Sequence, residues 1–471
     1  MKSKIHVLIN HIDLRKSIKI IIIIVVLMVS FISYRFASPQ TLLRVLLFMG
    51  GGVAVVFLIN NLSLGLIALI PISFLLPWNL GTGTKVPLNG TFLLTILLIG
   101  LWIFRMAVEK REIRLVPSRV NIPALMFIFA TVLSLIAGNI NWIPFSPETA
   151  SLSAQLGAWL LYTLSVCMLL MVGNTTYNVR WLRYLTWIYL ALGGIYIIGY
   201  SIPNGWFILK YFVGSSGGSV MWVWIAALAF GQVLGNHQLS FKWRITLGLL
   251  VLLEIYAGWF QGHKEWVSGW LPPLVAIFVI LWLRSWRWGL MISFLAGFLI
   301  IIFFSQLQSQ VMTSTQTYSV DSREWTLPIL YNLIKYSPVF GLGPANYYHY
   351  TSLYSINGFH VVFNSHDNYM DILAQYGVVG FVLFIWLACE IGYLGWKLRK
   401  RVQDGFSQGY IMACLGGLAG MLVSGFLADW FLPFLYNIGI AGFRASIFAW
   451  IFLGGLISLN AMTPSYQGQK I

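Results

Sequence analysis

Charge is what this sequence has least of. Asp, Glu, Lys and Arg together make up 9% of the 471 residues, and the acidic residues number 13. A soluble domain carries about 25% charged residues, so a soluble globular chain is excluded. Intrinsic disorder is excluded too, because 59% hydrophobic and 16% aromatic residues are too much apolar surface to stay solvated. Cysteine is scarce: Cys167, Cys389 and Cys414 all lie in apolar runs. An odd set of this kind offers no disulfide framework, and each thiol is expected to be a small buried hydrophobe. The sequence contains no G-x-x-x-x-G-K-[ST] phosphate loop, which argues against a nucleotide-driven pump. It has no evident internal repeat or low-complexity tract, which argues mildly against a repeat-built transporter.

What fills the chain is apolar runs of membrane-crossing length, about 20 residues for each helix. Runs at 18–34, 41–60, 62–78, 91–107, 121–137, 152–172, 184–202, 219–235, 244–260, 266–284, 288–305, 377–396, 409–428 and 443–461 predict helices. The expected fold is an all-α, polytopic transmembrane helical bundle of about 12–14 spans. Residues 1–471 read as a single integral membrane domain. Only Asn60 and Asn61 divide the pair over 41–78. Pro71, Pro77, Pro272 and Pro273 interrupt spans, which neighbours in a bundle accommodate. At the N-terminus, Lys2, Lys4, Arg15, Lys16 and Lys19 precede the apolar run Ile20 to Phe31. No small-residue cleavage site is clear, so an uncleaved first helix is expected.

The net charge is +16, from 29 Lys+Arg against 13 Asp+Glu. In a soluble protein that balance points to nucleic acid. In a polytopic protein it reports cytoplasmic loops, so the expected partner is the lipid bilayer and not a nucleic acid. An even span count puts both termini on one side. With that side cytoplasmic, the inner segments hold Arg105, Lys110, Arg111, Arg114 and Arg119, then Arg180 and Arg183, Lys242 and Arg244, Arg284 and Arg287, and the run from Lys397 to Arg401. About 21 basic residues then fall inside and about 8 outside, as the positive-inside rule requires.

One connection stands out. Residues 306–376 form a large extracytoplasmic loop of about 70 residues, and loops of that length usually carry function. Glu324 to Lys335 sets Trp325, Ile329, Leu330, Leu333 and Ile334 on one helical stripe, which predicts a short helix ended by Pro338. The helix either lies at the membrane interface or packs on the bundle. Gly341-Leu342-Gly343-Pro344-Ala345-Asn346-Tyr347 reads as a tight turn. Its glycines would also let backbone N–H groups approach a phosphate. In the third part, Tyr369, Ile372, Leu373 and Tyr376 keep helical spacing, with Asn364 as the expected N-cap and Asp367 at the third helical position. That places His366 in the first turn, where the positive helix end favours neutral imidazole, as a base requires. Asp371, one turn past Asp367, is expected to be solvated. Glu254 and Glu390 lie inside spans, where a charged group is a functional hypothesis by default. Pairing with another helix is the expectation for both. His263, His349 and His360 are further outer histidines without such a pattern.

Pro338-x-x-Gly341-x-Gly343-x-x-x-Tyr347, followed by His366 with glycines eleven and fourteen positions on, resembles the O-antigen ligase and polymerase superfamily of bacterial multi-span enzymes. In that family the histidine is typically followed by Asn, Ser or Gln, nine residues and Gly-x-x-Gly. Here the spacing is kept, but Asp367 follows the histidine. The resemblance covers about residues 321–390. It implies an outer-side arginine at Arg323, in Asp321-Ser322-Arg323-Glu324-Trp325. A second family arginine, in a Ser-Arg pair, corresponds to Lys264 in Gln261-Gly262-His263-Lys264-Glu265-Trp266. Lysine is a point charge where arginine is a bidentate fork, and Lys264 also reads as an interfacial anchor beside Trp266. Lys210 is a further candidate cation.

The family's reaction moves a glycan from undecaprenyl pyrophosphate to an acceptor hydroxyl at the outer face of the bacterial cytoplasmic membrane. The resemblance therefore implies a metal-independent, cofactor-free glycosyltransferase. Its partners are an undecaprenyl-pyrophosphate-linked glycan donor and an acceptor glycan or glycolipid. Negative charge grows on the leaving pyrophosphate, so cations placed there stabilise the transition state, and Arg323 and Lys264 are the candidates. The acceptor hydroxyl must lose a proton, and a neutral His366 within reach would take it, an effect of about 10²–10⁴-fold. His366 would alternatively hold the pyrophosphate as imidazolium. Gly341, Gly343, Tyr347, Asp367 and Lys210 complete the candidate substrate-binding set. Asp321, Glu324, Asp367 and Asp371 form no recognisable metal motif. The competing reading is a transporter or flippase for a lipid-linked or small solute, which would concentrate polar groups at mid-membrane in broken helices. Here they concentrate in one loop.

Overall fold

The structure, a computed structural model, describes residues 52, 55, 57–81, 87–109, 112–140, 142–143, 148–261, 266–305, 325–356, 358–402 and 405–463. The expected spans at 18–34 and over most of 41–60 lie outside the described residues, as does the uncleaved first helix.

Inside a bilayer each backbone polar group must be satisfied within its own segment, which makes apolar runs helical. The helices follow the runs: α1 Leu62–Leu75, α2 Gly90–Phe104, α3 Asn121–Ala137, α4 Leu152–Thr175, α5 Val179–Ser201, α6 Ser219–Gly235, α7 Phe241–Tyr256, α8 Val267–Arg284 and α9 Trp286–Ile302. In the long loop α10 is Trp325–Ile334, followed by single turns at Tyr347–Tyr350 and Thr351–Leu353. The chain ends in α11 Asn368–Arg401, α12 Phe406–Leu427 and α13 Gly439–Met462. Among the described residues, eight helices are long and apolar enough to cross a membrane. Asn79–Leu80 pairs antiparallel with Leu88–Asn89 in a two-stranded ribbon. The protein is an all-α polytopic membrane protein.

The chain divides into two compact units, residues 1–68 with 96–114, and residues 69–95 with 115–471. In the first, Gly65 lets Leu98 approach so closely that a Cβ there would lie 2.3 Å from its Cδ2. The second unit is built around α13, which is apolar on every side and 94% buried over its best window, as a fully enclosed helix should be.

Without a hydrophobic drive between helices in lipid, contact depends on small residues that let backbones meet. A Cβ on Gly231 of α6 would lie 2.6 Å from the Gly409 carbonyl of α12, and one on Gly420 of α12 would lie 2.6 Å from the Pro272 carbonyl of α8. Pro272 lacks an N–H and so frees the carbonyl of Ser268, four residues back. The Ser219 hydroxyl of α6 donates to that carbonyl. This is how the bundle tolerates the proline inside α8.

Two charges inside helices are structural, and a third has no side-chain partner among the described residues. Arg444, within α13 and 1% exposed, donates to the carbonyls of Ile72 (3.2 Å), Ser73 (3.3 Å) and Trp78 (3.4 Å). It thereby supplies donors to carbonyls at and just beyond the end of α1. Glu390 pairs with Arg119 at 2.7 Å, as expected of it. Glu254 departs from the expected pairing. It is 2% exposed, neither carboxylate oxygen has a hydrogen-bond partner, and it lines a cavity of about 60 Å³ with Trp222, Trp259 and Trp270. Of the cysteines, Cys414 is buried and Cys167 partly so, whereas Cys389 is exposed, because it sits on the outward face of its helix.

Candidate functional site

The long loop packs down onto the chain's last elements. Ile329, Leu330, Leu333 and Ile334 of α10 are buried in a cluster with Leu342, Tyr347, Tyr350, Ala374 and Phe434. Of the two placements open to α10, packing on the bundle is the one adopted. Trp325 leaves the stripe and is 54% exposed, because the first residue of the helix lies beyond the edge of that cluster.

The glycine pattern sets the position of His366. Gly377 takes φ 66° and ψ −171°, which breaks α11 into a short segment before it and a membrane-length segment after it. Gly341 (φ 74°) and Gly343 (φ 92°) are also in the left-handed region that only glycine occupies cheaply. The turn at 338–343 lies against this break. Val378 N–H donates to the Pro338 carbonyl (2.8 Å), Leu342 N–H to Ala374 (2.9 Å) and Gly343 N–H to Gln375 (3.1 Å). A Cβ on Gly377 would sit 2.3 Å from the Val339 carbonyl, and one on Gly341 would sit 2.3 Å from that of Gln375. The N–H groups of Gly341 and Gly343 are bonded to protein carbonyls, and both residues are buried. In this structure they serve a close backbone crossing.

The entry to α11 differs from the expected cap. Asp367 is the N-cap, and its carboxylate accepts from the N–H groups of Tyr369 (2.8 Å) and Met370 (3.1 Å). Asn364 lies too far upstream to serve. His366 therefore precedes the helix, on left-handed backbone with φ 49°, a conformation that costs a non-glycine residue energy and clusters at functional sites. The imidazole is exposed. Asp367 occupies the two helix-end N–H groups that would otherwise face an anion.

Asp371, expected in solvent, is instead fully buried. The Tyr347 hydroxyl donates to its Oδ1, and the Ser365 hydroxyl does so at 2.6 Å. The first turn of α11 faces inward under His366, so the position one turn on points into the core. Tyr347 is enclosed, stacks near Phe434 with ring centroids 4.9 Å apart, and receives the Ser365 N–H at 3.2 Å. Burial pushes its phenol well above the ordinary range, with Asp371 adding to the effect.

The connection between α12 and α13 closes the site from the other side. Asn368 Nδ2 donates to the Leu432 carbonyl at 2.6 Å. Asn437 Nδ2 donates to Asp429 Oδ1 at 2.7 Å and lies 3.3 Å from His366 Nδ1. Asp429 is fully buried, and its Oδ2 accepts the Phe434 N–H at 3.0 Å. Burial pushes the Asp429 carboxyl above the ordinary carboxylate range, opposed by these two donors and by His366. Next to Asn437, Tyr436 bonds His349 Nε2 at 3.2 Å, and burial lowers the His349 pKa. Asp429 and Asn437 were not singled out from sequence. The signal for them was an acid and an amide, eight residues apart, in an otherwise apolar link between the last two spans.

Of the candidate cations, Arg323 and Lys264 lie outside the described residues. Lys210 is exposed, with its ammonium over the rings of Trp206 (5.3 Å) and Tyr211 (5.0 Å). The structure thus joins His366 to Asn437 and Asp429 and, through Ser365, joins Asp367, Tyr347 and Asp371, and Lys210 is in neither set. A neutral imidazole whose Nδ1 accepts from Asn437 carries its proton on Nε2.

No curated protein matches the chain. The family model described as O-Antigen ligase matches residues 267–385, which run from α8 through the long loop, the glycine crossing and His366 into the membrane-length part of α11. Over that segment, about a quarter of the chain, the protein is similar to the O-antigen ligase family, which supports a glycan-transferring enzyme, and its apolar helices make it a multi-pass membrane protein.

Proposed function

We propose that the protein transfers or polymerises a glycan from undecaprenyl pyrophosphate onto an acceptor sugar hydroxyl at the outer face of the inner membrane. One observation carries the reading: His366 stands exposed on strained backbone, within the family-matched segment, bonded to Asn437, which holds the buried Asp429, and next to Ser365, which bonds the buried Asp371 and Tyr347. The whole chain acts as one integral membrane domain, and the long loop is extracytoplasmic. Arg323 and Lys264 stabilise charge on the leaving pyrophosphate, and no metal ion is required. Asp367 and Tyr347 act by fixing the backbone on which His366 is carried.

His366 takes one of two roles in this reaction. As a base it removes the acceptor proton. As a donor it binds a pyrophosphate oxygen through Nε2–H, and the contact of Asn437 with Nδ1 favours this second role. A base must be deprotonated, so transfer would rise with pH through the imidazole pKa and then level. A donor acting as imidazolium would lose activity over the same interval, whereas the Nε2–H that the Asn437 contact favours is present on both sides of it.

The test is transfer by purified protein in lipid, supplied with an undecaprenyl-pyrophosphate glycan and several acceptors. His366→Ala and Arg323→Ala are expected to abolish product. Full activity in His366→Ala would overturn the site. Energy-coupled solute uptake without glycan product would replace the enzyme reading with a transporter.

A further inference from the structure

Two buried carboxyl groups lie beneath the loop that carries His366, and they are bonded differently. Asn368 and Asp371, three residues apart on α11, share one helix face. Asn368 docks that face on the link between α12 and α13, accepting the Phe431 N–H at 3.3 Å and donating to the Leu432 carbonyl at 2.6 Å. Asp429 lies two residues before Phe431, and its charge bears on Asp371. Both acids are fully buried. Two carboxyl groups that share a buried site resist double ionisation, so the pair keeps a proton.

The donors show which acid carries it. Asp429 accepts on each oxygen, from Asn437 Nδ2 at Oδ1 and from the Phe434 N–H at Oδ2, and His366 favours its charge. That is the bonding of a carboxylate, which accepts at both oxygens. Asp371 gathers both hydroxyl donors, Tyr347 and Ser365, on Oδ1, which fills the two lone pairs of a carbonyl oxygen. Its Oδ2 is buried without a bond. The titratable groups that bear on Asp371 are the phenols of Tyr347, Tyr376 and Tyr162 of α4, and the carboxyls of Asp367 and Asp429. None of these is a cation. A carboxylate there would be desolvated with one oxygen bare, which is costly. Burial accordingly pushes the Asp371 carboxyl well above the ordinary range, and Asp429 adds to the effect.

We propose that Asp371 is a neutral carboxylic acid, with its proton on Oδ2, and serves as a positioning residue for His366. Its Oδ1 ties Ser365 and Tyr347, and Ser365 immediately precedes His366 on its left-handed backbone. The proton also keeps one negative charge, and not two, beneath a histidine that must meet a pyrophosphate, which a second charge would repel. This consequence rests on the transfer reading, whereas the protonation state does not.

The test uses the full-length protein in detergent at neutral pH. The infrared carbonyl stretch of a neutral carboxylic acid is expected in the wild type and is expected to be lost in D371N. A band absent from the wild type, or kept unchanged in D371N, would overturn the proposal. Transfer is measured on the same samples. D371A is expected to lower it about 10²-fold, as a small misplacement of a catalytic group does. D371N is expected to recover most of that loss, because an amide keeps the Oδ1 acceptor and puts a donor in place of the Oδ2 hydroxyl. D371N as impaired as D371A would overturn the positioning role. If D371A does not fold, D371N is compared with the wild type, and a hundredfold loss there overturns the role. Wild-type protein that shows the band but makes no glycan product would uphold the neutral acid and fail the transfer reading, so the two failures are distinct.

Discussion

His366 and His237 stand at opposite ends of one bundle in opposite surroundings. His366 meets an amide and, behind it, two buried carboxyl groups, on backbone held in the left-handed region. His237 meets two guanidinium groups in an ordinary link between helices. The same side chain thus faces an amide at one end and guanidinium groups at the other. The difference lies in the neighbours that tertiary packing supplies, since both histidines are exposed.

The comparison breaks most sharply at His366. His366→Ala is expected to lower transfer by about 10²–10⁴-fold, whereas His237→Ala should leave it within a few-fold, both read as product formed by purified protein. Equal losses would erase the distinction between the two ends. Arg323→Ala should cost about 10²–10³-fold, as for removal of one preorganised group facing developing negative charge. Arg323→Lys should recover little of this if bidentate geometry is required.

Gly377→Ala sharpens the claim that backbone geometry carries His366. Its Cβ would meet the Val339 carbonyl at 2.3 Å at a φ of 66°. A loss of about 1–3 kcal/mol from conformational strain should appear as a lower melting temperature. Gly392→Ala, with only Leu418 in ordinary contact at 3.6 Å, is the control and should be nearly neutral. The smallest effect concerns the pH response. The buried Asp429 carboxyl holds its proton more tightly in the folded protein than an ordinary carboxylate does. As pH rises above the ordinary carboxylate range, the unfolded chain ionises first and gains stability relative to the fold. Melting temperature should therefore fall over that interval, and Asp429→Asn should make the fall shallower. An unchanged slope would show that Asp429 is not held in this way.

Much of this protein was legible in its sequence. Apolar runs marked the helices, and the run expected from 377 starts where α11 breaks, but the break itself, a left-handed Gly377, was not read from sequence. The Gly341, Gly343 and Gly377 pattern was visible as spacing, but not as a backbone crossing, since nothing local says that 338–343 and 374–379 touch. Asp371 was misplaced for the same reason: helical periodicity gives a face, and only the partner element decides whether that face meets water or core. Asp429, Asn437 and Arg444 were passed over because each sits singly in apolar sequence, with partners at positions such as 366 or 72.

Sequence alone determined that the chain is a membrane bundle, and it set the motif spacing around His366, because hydrophobic length and glycine conformation are local properties. Tertiary structure decided what each exposed histidine faces and which carboxylates are buried. Those depend on contacts between residues far apart in the chain, and the electrostatics of a buried group follow from its neighbours and its distance from water.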